Sequence, residues 1–258
     1  MFQTFRNAWK VPDLKRKLLF TLFIIVVFRI GGAIPVPFLN ADAIKAWFSA
    51  NADGSIFGYM NVLSGNNFSN ATLLALGIQP YINAQIIIQL LTYALPPLER
   101  LAKEGAEGRK TINKISKYSA LGIAIFQSWA YYLTLKKAGA LVYTTGFDKI
   151  FTEIVIIACF TAGASLIIWL GDQINEKGIG NGISMILFAG IISRGPASVI
   201  GLIRSAVETK AAAQMILVPV VFILFIAMIG FIIFMNNAER RIPVQYAKRV
   251  VGNKQYGG

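Results

Sequence analysis

The sequence predicts an all-α polytopic membrane protein with six transmembrane helices. Three observations carry that expectation. Of 258 residues, 55% are hydrophobic and only 14% charged, whereas soluble domains carry about 25% charged residues. The apolar residues run in blocks of roughly the 20 residues that a spanning helix needs. The charges sit between the blocks, and more of them fall on one side than on the other.

The spans are drawn over residues 18–34, 71–95, 115–135, 150–170, a weaker segment that starts at Gly182 and loses its apolar run near Ile192, and 211–235. The first contains Arg29, which either snorkels to the headgroups or faces a polar interior. The second is interrupted by Pro80, which removes a backbone donor and is expected to kink the helix there. Basic residues before position 18 are followed by no small-residue cleavage site, so the first block reads as a retained helix rather than a leader.

Charge counting orients the chain. Arg6, Lys10, Lys15, Arg16 and Lys17, the loop after the second span, Lys177 and the C-terminal tail carry 17 of the 25 Lys and Arg residues. The opposite side carries 7, and Arg29 lies within a span. This asymmetry puts both ends in the cytoplasm. The net charge of +13 is therefore read first as juxtamembrane charge and not as a nucleic-acid footprint. One cysteine, Cys159, permits no internal disulfide, and no histidine is available as base or metal ligand.

No charged residue occurs from Gly54 to Leu98, a stretch twice as long as one helix requires. Its front, SIFGYMNVLSGNNFSN over 55–70, is too polar for a lipid-facing span and oddly uncharged for a loop. A short segment dipping into a protein-lined cavity fits both facts; an uncharged external loop is the plainer alternative. On the helix that follows, Gln79, Ile82, Asn83, Ile86 and Gln89 fall within an arc of about 120° at 100° per residue. Amides are costly in lipid, so this face belongs against other helices or water. Ile82 and Ile86 stack one turn apart on it, as a dewetting constriction requires; ordinary packing cemented by amides is the other reading.

Two polar stretches, 96–114 and 236–258, gather basic residues. In the second, Arg240–Arg241 and Lys248–Arg249 flank IPVQYA, a candidate strand or hairpin arm. Such clusters bind lipid or RNA phosphates, or are simply positive-inside charge. The chain stops within this loop, at Tyr256-Gly257-Gly258.

Five stretches, FRIGGAIPVP (28–37), LGIQPYINAQIIIQLL (76–91), EGRK (107–110), WLGDQINEKGIGNGISMILFAGI (169–191) and RRIPVQYAKR (240–249), resemble in sequence and order the SecY family of protein-conducting channels. The resemblance implies the first half of an inverted-repeat channel and the first helix of its second half. It divides the chain into a cytoplasmic segment 1–17, a first half 18–203, an external loop and sixth helix 204–235, and an incomplete docking loop 236–258. It implies a plug near 55–65, formed by Ser55, Ile56, Phe57, Gly58, Tyr59, Met60, Asn61, Val62 and Leu63, and a pore ring of Ile82, Ile86, Leu187 and Ile191. Leu187 stands where the family more typically has isoleucine.

Gln79, Asn83, Gln85 and Gln89 would form the polar pore or gate face, with Asn83 and Gln85 bulkier than the family's residues there. Arg109, Lys110, Arg240, Arg241, Lys248 and Arg249 would dock the ribosome or the motor ATPase SecA. The implied partners are small subunits of the SecE and SecG type, a translocating polypeptide or signal sequence, membrane lipids and the missing C-terminal half. The implied location is the plasma membrane of a bacterium. No cofactor, metal or enzymatic activity is expected. Half of an inverted-repeat solute or ion transporter is the competing function. It would need coupling carboxylates within the spans, where Glu153 alone stands.

Overall fold

The structure is a computed structural model that describes residues 9–51, 55–209, 212–240, 249–251 and 254–256. Residues 1–196 and 197–258 form two compact units. Arg6, Lys210, Arg241, Lys248 and the stretch IPVQYA lie outside the described residues.

In the first unit, α1 (Pro12–Gly31) opens on a proline and an acidic residue, both suited to a helix start. Thr21, Ile24, Phe28 and Gly31 form its buried face, while Leu19, Leu22, Phe23, Val26 and Ile30 are exposed. Exposed apolar side chains of this kind suit lipid. The next element, α2 (Ala41–Asn51), lies where an external loop was expected. Its signal is local: the Asn40 side-chain oxygen accepts from the backbone N–H groups of Asp42 at 3.0 Å and Ala43 at 3.3 Å, as an N-cap does.

Then comes α3 (Ile56–Ser64), capped by Ser55 at its start and by Gly65 in the left-handed region at its end. Residues 65–78 are irregular yet largely buried, with Leu74 wholly inaccessible. Buried backbone must find partners, and here it does. Leu73 N–H donates to the Ile34 carbonyl at 2.9 Å and Val36 N–H to the Ala71 carbonyl at 3.3 Å. The Tyr131 hydroxyl donates to the Phe68 carbonyl. The segment passes over the fourth expected span at Gly163, where any Cβ would collide with the Leu73 carbonyl.

Helix α4 (Gln79–Ala94) has Pro80 in its first turn. The expected kink is thus corrected. The second expected span is not one bent helix but an irregular outer part, 71–78, followed by a straight helix start. Proline suits that start, since the donor it lacks would be unused there. Leu95 alone separates α4 from α5 (Pro96–Lys103), its backbone extended ahead of Pro96. The stretch 96–114 is therefore mostly helical, because α6 (Ala106–Lys137) already begins at Ala106. Two 32-residue helices follow the α4–α5 pair, α6 and α7 (Gly146–Lys177). They pack through Ala120 and Ala124 on one side and Ile156, Phe160, Ala164 and Ile168 on the other. The Ser128 and Thr161 hydroxyls join them at 3.1 Å. Helix α8 (Gly182–Ile192) is capped by Asn181, whose side chain accepts from Ser184 N–H.

The second unit holds most of α9 (Gly195–Thr209), together with α10 (Ala212–Asn236) and a hairpin of β1 (Arg249–Val251) and β2 (Lys254–Tyr256). The strands lie just downstream of IPVQYA. In α10 every described side chain from Pro219 to Asn236 is exposed, as for a helix that lipid or neighbouring helices surround. By length and composition, three helical stretches among the described residues qualify as spans: Gly146–Lys177, Gly182–Arg204 and Val218–Asn236. The other expected spans fall on α1, the segment ending in α4, and α6.

Candidate functional site

Helix α4 has two unlike faces. Tyr81 and Ala84 pack with Ala120 of α6 and Ile168 of α7, and Ile88 is buried on the same side. Away from it, Gln79, Ile82 and Asn83 are half-buried, and Gln85, Ile86 and Gln89 are exposed. The polar arc read from the sequence is thus the less covered side of the helix within this chain. Ile82 and Leu187 are brought together around one apolar cluster with Ile24, Phe28, Leu74, Ile78 and Ile186. Ile86 and Ile191, at 52% and 41% exposure, project beyond it.

Helix α3 packs against α8. Ser55 accepts from Gly58 N–H, Phe57 and Met60 pack on the outer core, and Ile56, Tyr59 and Val62 are exposed. Asn61 is buried and satisfied: its amide donates to the Asn66 side chain at 3.1 Å, and its oxygen accepts from Ser69 N–H at 3.0 Å. One cavity of about 140 Å³ lies between Phe57, Met60 and Leu63 of α3 and Gln127, Ala130 and Tyr131 of α6. The segment read as re-entrant is therefore a capped helix seated in protein.

Sequence reasoning missed what ends that helix. A Cβ on Gly65 would stand 2.7 Å from the Gly190 carbonyl oxygen and 3.2 Å from Nη1 of Arg29. Arg29 is half-buried and faces protein here. Its only sequence signal was a charge within a span.

The described basic candidates fall in both units. Arg109 and Lys110 are exposed on the first turns of α6, and Lys110 pairs with Glu107 at 2.9 Å. Arg240 is exposed after α10, and Arg249 opens β1.

A helical bundle with a half-open amide face, branched apolar residues within that face and a short helix seated beside it defines a multi-pass membrane protein of the channel type. The SecY family model matches residues 72–258, and the chain belongs to the SecY family. It is 38% identical, over its whole length, to the protein translocase subunit SecY of Streptomyces coelicolor, and spans 60% of that protein. Its fold is similar to Sec61 in the canine ribosome-channel complex from the endoplasmic reticulum, with a TM-score of 0.59 and 20% identity over 92% of this chain and 53% of that one. It is equally similar to a solved protein conducting channel, with a TM-score of 0.59 and 19% identity over 97% of this chain and 56% of that one.

Proposed function

We propose that this chain supplies the front part of the pore subunit of a protein translocation channel, passing unfolded secretory polypeptides across the membrane and releasing hydrophobic segments sideways into lipid. The observation that carries the proposal is the uncovered face of α4, on which Ile82 and Ile86 interrupt a row of amides. Ile82, Ile86, Leu187 and Ile191 form part of the pore ring, completed by residues beyond this sequence. A ring of branched apolar side chains excludes ions by dewetting when empty and packs around a chain when occupied. Helix α3, with its cap Ser55, is the plug that rests in this path. Helices α4 and α6 form one wall of the lateral gate, and Gln79, Asn83, Gln85 and Gln89 keep the passing chain hydrated. The chemistry is passage, not bond making, and no resident cofactor is required.

The protein works in a bacterial plasma membrane with both ends of this sequence in the cytoplasm. It assembles with small SecE- and SecG-type subunits, and its cytoplasmic basic residues dock SecA and the ribosome. The relatives are longer than this chain, and a complete pore needs the half they carry beyond it.

The test uses the full-length channel. A stalled secretory precursor is crosslinked to single cysteines at Ile82, Ile86 and, as an outward control, Trp169. Adducts at the first two and not the third are expected. Adducts only at Trp169 sink the pore-ring assignment.

A further inference from the structure

The geometry points to Arg29 as the counter-charge that seats α3, by neutralising the C-terminal ends of α3 and α8 that meet at its guanidinium. Arg29 lies in the last turn of α1. Helix α3 ends at Ser64, and its cap Gly65 stands beside the arginine Nη1. Helix α8 ends at Ile192, and the Gly190 carbonyl in its last turn faces the same point. Each helix C-terminus carries about half a negative elementary charge on its unpaired carbonyls. Converging ends repel one another, and more strongly where protein replaces water.

The hydrogen bonds nearby leave room for such a charge. At the end of α3, the backbone N–H groups of Gly65 and Asn66 reach the Val62 and Asn61 carbonyls. The carbonyls of Leu63 and Ser64 accept from no backbone N–H of the described residues. At Gly190 the carbonyl accepts from the Ser193 hydroxyl at 2.6 Å, a neutral donor that brings no charge. Arg29 itself takes part in none of the ion pairs among the described residues. No carboxylate among the described residues pairs with it, and its Nη1 stands beside the backbone at Gly65. Gly65 is what lets it approach: a side chain at that position would strike the Gly190 carbonyl and press on the guanidinium. The arginine thus acts as a positioning residue for α3 against α8.

The inference concerns how α3 is seated and does not depend on α3 blocking a pore. Its test therefore reads seating and not conductance. In the full-length protein with its partner subunits, Cys159→Ser provides a background without thiols from this chain. Ser64→Cys, a near-isostere at a buried position, then reports release of α3 through its rate of labelling by a maleimide in permeabilised membranes. Arg29→Gln is expected to speed labelling at least fivefold, while Arg29→Lys, which keeps the charge, stays within twofold of the parent. Labelling unchanged by Arg29→Gln overturns the inference. So does equal acceleration by Gln and Lys, which would assign the role to the shape of the side chain. If Arg29→Gln does not accumulate, Arg29→Lys decides alone: a rise above twofold counts against a role for charge. In that case parent-like labelling supports it.

Discussion

The Lys117 ammonium lies 2.6 Å from the Asp172 carboxylate and ties α6 to α7. Unlike the exposed pairs of α5 and α6, it links two elements and is partly shielded, the aspartate being 26% exposed. Lysine is the more solvated partner, so the pair is worth about 0.5–1 kcal/mol rather than the larger value of a buried bridge. A double-mutant cycle with Lys117→Met and Asp172→Asn, read from unfolding in detergent, should give a coupling of that size. No coupling would remove this pair from the forces that hold α6 and α7 together.

At Gly163 the Leu73 carbonyl occupies the space a side chain would need. Backbone cannot swing aside as a long side chain can. Gly163→Ala should therefore destabilise by about 1–3 kcal/mol, with Gly122→Ala, in open space on α6, as the neutral control. Equal unfolding midpoints for the two variants would contradict the packing described.

Deleting residues 56–63 should raise ion leak through the otherwise complete channel several-fold, measured in planar bilayers. The deletion removes the capped helix but leaves α4 and α8, which carry the proposed pore ring. A recording as silent as that of the parent would mean that α3 seals nothing.

Charge reversal in the basic stretch after α10, Arg241→Glu with Arg249→Glu, should weaken ribosome and SecA binding about tenfold at low salt and flatten the salt dependence. Affinity unchanged across a salt series would reduce these residues to juxtamembrane charge.

Much of this was legible in the sequence because lipid imposes simple rules. Block length and Lys/Arg asymmetry locate the spans, and the amide arc on α4 is visible at 100° per residue. The residues around 55–70 stood out as a poor span, because four asparagines suit lipid badly, but their lack of charge left both a re-entrant segment and an external loop open. What stayed hidden depends on partners distant in sequence. Pro80 looks the same at a kink and at a helix start, and only the bonds from 65–78 to Ile34 and Val36 show that helix is absent before it. The place of Arg29 depends on Gly65 and Gly190, neither near it in sequence. Helix α2 was missed because a single Asn cap in a polar stretch competes with every other turn that asparagine makes.

The irregular segment 65–78 also carries a consequence for biogenesis. Its backbone is covered by Tyr131 and by the surface of α7 at Gly163, which lies 90 positions after Leu73. As the polypeptide emerges from its own ribosome, these peptide groups exist long before the helices that cover them. They cannot rest in hydrocarbon during that interval without unsatisfied donors and acceptors. In the finished fold, the second expected span is thus covered in full only once the fourth is in place.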